Sequence, residues 1–172
     1  LGFGNIEYLN IDILELNNLK KKFDVIECVG VLHHMKEPMK GLKILLNLLE
    51  PHGVIKLGLY SEKARQHIVQ VREFIKKNKF KNTTDGIRDC RQSIINQRDD
   101  KMFKEILNRG DFYTISSARD LMFHAQEHRF NLPQISQMVS DFDLEFLGFS
   151  NEKIKKRYSA KFPEDEKNIS LE

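Results

Sequence analysis

The chain has 172 residues, 40% apolar and 31% charged, with a net charge of +3, which is enough for one domain with its own core and is ordinary for a folded globular protein. Its basic residues are dispersed in Lys20 to Lys22, Lys76 with Lys77, and Lys153 to Arg157, a pattern of solvated faces that argues against a nucleic-acid footprint. No apolar run reaches the length of a bilayer span, no signal-peptide pattern opens the chain, and Cys28 and Cys90 are too few for a disulfide framework, so a cytoplasmic protein without a membrane partner is expected.

Ile6 to Ile11 alternates apolar and polar residues, predicting a short strand with Asp12 at its carboxyl end. Leu14 to Lys22 reads as a connector or as one or two loose helical turns. Val25, Ile26, Cys28 and Val29 form a nearly unbroken apolar run, the pattern of a parallel strand buried on both faces, over 23–30. After Pro38, residues Met39, Leu42, Leu45, Leu46 and Leu49 recur at helical spacing, predicting a helix over 38–50 that Pro51 and Gly53 stop. Val54, Ile55, Leu57 and Leu59 give a second buried strand over 53–60. Strand, helix and strand in this order make a right-handed βαβ crossover, and ligands of open α/β sheets sit outside the carboxyl ends of the strands. Gly30 to His34 and Gly58 to Ser61 are therefore site candidates by position alone.

Ser61 is the predicted cap of a helix running to about Asn78, with Ala64, Ile68, Val71 and Ile75 on one face. Helical patterns near Cys90 to Gln97 and Lys101 to Asn108 follow. Ser117 with Asp120 resembles a capping box for a helix through Ala125, and Asn131 caps another with Ile135, Met138, Val139 and Phe142 on one face. Leu144 to Ser150 is expected as a final strand, and the charged tail from Asn151 as frayed at its end. The chain opens inside an α/β pattern and closes in a polar stretch, so it reads as a fragment.

Asp24 to His34, then Leu49-x-Pro51-x-Gly53 and the strand to Tyr60, resemble the fourth and fifth strand region of class I S-adenosylmethionine-dependent methyltransferases. Asp111 to Ile135 and Leu144 to Phe149 are similar to a bacterial subgroup of these enzymes often fused to tetratricopeptide repeats. The resemblance implies a partial Rossmann-like α/β fold, a parallel sheet flanked by helices, as one domain over 1–172 with a helical insertion at about 79–131. It implies S-adenosylmethionine as cofactor, with Asp12 near the adenine amino group between the apolar walls Ile11 and Ile13. Gly30, Val31, Leu32 and His33 would lie along the methionine part, where a glycine suits close backbone approach. The family's glycine-rich loop and ribose-binding acid have no counterpart, since no strand precedes Leu1-Gly2-Phe3-Gly4 and no helix follows. The chain alone is accordingly expected to be poorly stable and to bind the cofactor weakly, as the carboxyl part of a larger enzyme, with a tetratricopeptide-repeat region as a possible amino-terminal neighbour.

Methyl transfer from a sulfonium is an in-line displacement, so alignment and exclusion of water matter most. His33 and His34 are the candidate bases if the acceptor, a small molecule or a protein, must lose a proton. Tyr60 and Arg65, with His124, Glu127, His128 and Arg129, are the candidate acceptor-facing groups. A rival reading takes His124-Ala-Gln-Glu127-His128 as an H-x-x-E-H zinc hydrolase motif, with two histidines on one helical face and the glutamate as base. A noncatalytic α/β interaction module is the third reading.

Overall fold

The computed structural model describes residues 4–171; the first three residues of the Leu1 to Gly4 stretch lie outside the described residues. The chain is α/β, a parallel βαβ unit flanked by helices, and it divides into two compact units, 1–129 and 130–172.

In the first unit, β1 (Phe23–Val29) and β2 (Leu49–Gly58) are parallel neighbours joined by α1 (Pro38–Asn47). Proline in its first turn starts α1 where a backbone donor is dispensable. The predicted helix to residue 50 ends earlier because Leu49 pairs with Phe23 as the first residue of β2. Glu50 to Gly53 then stand opposite Asp24 alone before Val54 resumes the register with Val25, and His52 takes φ 67° in this bulge.

The strands are covered on one face. Ile26, Cys28, Ile55 and Leu57 are buried or half-buried, whereas Val25 (67% exposed) and Val29 (54%) face outward beside the Glu27–Lys56 ion pair. The expectation of burial on both faces is corrected: among the described residues the outer face carries a charged pair and exposed valines. Gly41 on α1 lies close against two side chains: a Cβ there would come within 2.5 Å of the Met35 sulfur and 2.9 Å of Leu32, so the ends of those side chains would have to shift. This close approach seats α1 against the loop after β1.

The largest core lies in the helices. α2 (Gln66–Lys77), α3 (Thr84–Asn96), α4 (Lys104–Leu107) and α5 (Ile115–Phe123) bury Ile68, Val71, Ile87, Ile94, Phe103, Ile106, Phe112 and Met122 among themselves. Ser61 does accept a hydrogen bond from the Ala64 amide at 3.2 Å, but α2 begins only at Gln66. Thr114, not Ser117, caps α5 by accepting from the Ser117 amide.

In the second unit, Asn131 and Gln134 form a reciprocal capping box at α6 (Leu132–Asp141), as Asn131 predicted. The charged tail, expected to fray only at its end, opens with α7 (Glu152–Lys161), whose Asn151 cap accepts from the Lys153 and Ile154 amides. Two predicted strands are corrected. Residues 6–11 and 144–150 have no ladder partner among the described residues, and alternation without a partner leaves backbone groups for water to satisfy.

Candidate active site

The loop after β1 begins at Gly30, whose φ of 79° favours glycine and whose Cβ position is open to at least 4 Å. A short 3₁₀ turn, Leu32–His34, follows and buries Leu32 and His33. The two strand ends meet here: the Gly30 amide donates to the Gly58 carbonyl at 3.3 Å, and the His33 ring stacks on Tyr60, just past β2, with centroids 3.7 Å apart. His34 lies edge-on to both rings.

A third segment is strapped across this loop. The His128 amide donates to the His33 carbonyl at 2.7 Å, the Gln126 side chain donates to the Met35 carbonyl at 3.2 Å, and the Gln126 carbonyl bonds His34 Nδ1 at 3.1 Å. His124 stacks on His34 with centroids 3.8 Å apart. Thus His33, His34, Tyr60, Arg65 and the 124–129 group, separate in sequence, form one cluster. Asp12 and Ile13 are elsewhere: Asp12 caps its own 3₁₀ turn by accepting from the Leu14 amide at 2.7 Å. Among the described residues no hydrogen bond or ring contact ties either to His33.

Electrostatics holds the cluster together. Arg65 is buried, with its guanidinium 3.8 Å over the Tyr60 ring, and it forms a two-pronged ion pair with Glu127, whose side chain is 1% exposed. Arg72 adds a second cation to Glu127 at 3.0 Å, and Arg129 bonds Glu62 at 3.0 Å. Burial by itself would raise the Glu127 carboxyl, but the Arg65 hydrogen bond and the charges of Arg72, Arg65 and Arg129 outweigh it and hold it below the usual carboxylate range. Burial, then the neighbouring His34, push His33 below the ordinary imidazole value. The Gly58 carbonyl pulls weakly the other way without reaching hydrogen-bond geometry, and both His33 ring nitrogens stay without a partner.

Beside the cluster is a cavity of about 590 Å³ lined by Tyr60, Arg65, Arg109, Asp111, Ser116 and Asp120 among others. Arg109 is held by donating from Nε to His67 Nε2 at 2.9 Å, while His67 Nδ1 meets Glu105 at 3.0 Å. This fixes His67 as the neutral Nδ1–H tautomer, in line with its lowered proton affinity, which burial and then Arg109 cause. Sequence reasoning missed Glu62, Arg72, Arg109 and Gln126. No local pattern marks the two arginines, and Gln126 acts chiefly through its backbone and a bridging amide.

The zinc hydrolase reading does not survive. His124 ends α5 with ψ 132°, and residues 125–129 are not helical, so His124 and His128 do not share a helix face. Glu127, its supposed base, is locked between two arginines.

A family described as methyltransferase domain matches residues 2–57. An uncharacterized protein of Synechococcus sp. is 27% identical over 157 residues, 85% of this chain and 36% of that protein. tRNA U34 carboxymethyltransferases of Campylobacter jejuni subsp. doylei and Campylobacter curvus are each 40% identical, over 62 and 53 residues, 36% and 31% of this chain and 21% and 18% of theirs. The chain therefore spans about a third of the length of the first relative and about a fifth of the others. The similarity to the methyltransferase-domain family thus covers about a third of the chain, through most of β2.

Proposed function

We propose that this chain supplies the carboxyl-side part of an S-adenosylmethionine-dependent methyltransferase, with the cofactor along the loop after β1 and the acceptor in the cavity lined by Tyr60, Arg65, Arg109 and α5. The observation that carries this reading is the meeting of the β1 and β2 carboxyl ends at His33 and Tyr60, beside a cavity, within a unit whose first part is similar to the methyltransferase-domain family.

The residues fit the cofactor in part. Gly30 leaves open space above a backbone that only glycine adopts easily, Val31 is 43% exposed as an apolar wall, and His33 offers buried nitrogens that nothing else satisfies. Asp12 is the weaker fit, since one carboxylate oxygen is already committed to its own cap. When bound, the cofactor supplies a methyl group on a sulfonium for in-line transfer. The chain's own part is placement: Tyr60, clamped between His33 and Arg65, forms a wall between the loop and the cavity, and the strap 124–129 closes the loop from water.

The test is calorimetric titration of S-adenosylhomocysteine into the full polypeptide that carries this chain. Binding is expected, and Gly30→Val should weaken it at least about tenfold, about 1.4 kcal/mol. No binding at millimolar ligand would sink the reading and favour a noncatalytic α/β module.

A further inference from the structure

We infer that His34, His124 and Asp120 form a site for a divalent first-row transition metal, at the rim of the cavity where the far end of the loop after β1 meets α5. One ligand atom from each of the three lies within 4.8 Å of the others.

Local structure explains why they converge. Asp120 and His124 are four residues apart at the end of α5, one helical turn, so their side chains project from the same side. His34 arrives from the turn after β1, and its ring is parallel to that of His124 within 28°. Two imidazoles and one carboxylate are a donor set that zinc, cobalt, nickel and ferrous iron accept, with positions left over for water or substrate.

Two further observations point to an ion rather than to a chance grouping. His34 is oriented as metal-bound histidines are: its Nδ1 meets the Gln126 backbone carbonyl at 3.1 Å, so Nε2 is left with its lone pair free. Asp120 makes no hydrogen bond or ion pair among the described residues, although two imidazoles stand within 4.8 Å of it. The three groups are close together yet do not bond one another. Bonds of about 2.1 Å to a tetrahedral ion set ligand separations near 3.4 Å, so closure by up to about 1.4 Å is required, with the His124 ring turning out of its stack on His34 so that both lone pairs meet the ion. Exposed Asp120 has the freedom to supply it. Ligation through His124 Nε2 gives up one long contact, the 3.3 Å approach of the Gln126 amide to Nδ1. Because Asp120 also lines the cavity, the open positions of the ion face the space proposed for the acceptor.

The experiment is titration of the full polypeptide with zinc by calorimetry and with cobalt by visible absorption, after treatment with a chelator. Expected are one equivalent bound at micromolar concentration and cobalt bands of a low-coordinate N/O site. Asp120→Asn and His124→Gln should each weaken binding at least about tenfold, while His52→Gln, an exposed histidine in the β2 bulge, leaves it unchanged. Absence of binding below millimolar metal, or binding that Asp120→Asn and His124→Gln leave intact, overturns the proposal. Neither readout depends on S-adenosylhomocysteine, so the metal site and the methyltransferase reading stand or fall separately. Asp120 is exposed, so its amide variant keeps the test valid if the histidine variant fails to fold.

Discussion

The βαβ unit and the helical layer of 66–123 belong to the same compact unit, yet they bury their side chains in opposite ways. β1 and β2 carry the stronger sequence pattern, unbroken apolar runs, and leave Val25, Val29 and Val54 exposed. The helices carry a broken pattern full of charges and polar turns, and they close around Phe103, Phe112 and Ile106 with no exposure at all. A recognisable motif and a self-sufficient core are different properties. Apolar residues in a strand state that a partner surface is wanted, not that it is present.

Three measurements press on this contrast. Phe103→Ala should cost about 3–5 kcal/mol in urea unfolding, as for a large side chain removed from a packed core; a loss below about 1 kcal/mol would mean that the helical layer is not the stable part. Acid titration comes next. His67 binds its proton less readily folded than unfolded, so stability should begin to fall as pH drops below the ordinary value of 6.5. Glu127 is shifted down from 4.5, so its contribution is present above that pH and is lost as pH falls through its lower folded value. Unfolding midpoints against pH should therefore decline in two stages, and His67→Gln, which can still accept from Arg109, should shrink the upper one to the share that His33, also lowered by burial, contributes. The smallest effect is expected at Val25→Thr, within about 0.5 kcal/mol in the chain alone, as for an exposed site. A much larger loss would show that this face is covered in solution.

What was legible in the sequence follows the same division. β1, α1 and β2 were readable because their patterns are local, and the loop after β1 was placed by topology alone. The strands expected at Ile6 to Ile11 and at Leu144 to Ser150 failed because alternation describes one side of a ladder, and pairing needs the other. The candidate cluster was half legible. His33, His34, Tyr60, Arg65 and Glu127 were singled out, but their assembly depends on long-range bonds such as His128 to His33 and Arg65 to Glu127, for which no spacing rule exists. The triad of His34, Asp120 and His124 was hidden for a further reason. The eye-catching H-x-x-E-H string drew attention forward from His124, whereas the turn of helix that matters runs backward to Asp120.

Arg65 has a consequence for how this surface tolerates substitution. Its guanidinium lies flat on Tyr60 while its edge forks onto Glu127, and its carbonyl accepts the Ile68 and Val69 amides that open α2. Lysine has neither the plane for the first task nor the fork for the second. Positions 60, 65 and 127 are thus physically coupled: removing the charge at 65 or 127 takes away its partner's ion pair and loosens the ring that closes the end of β2.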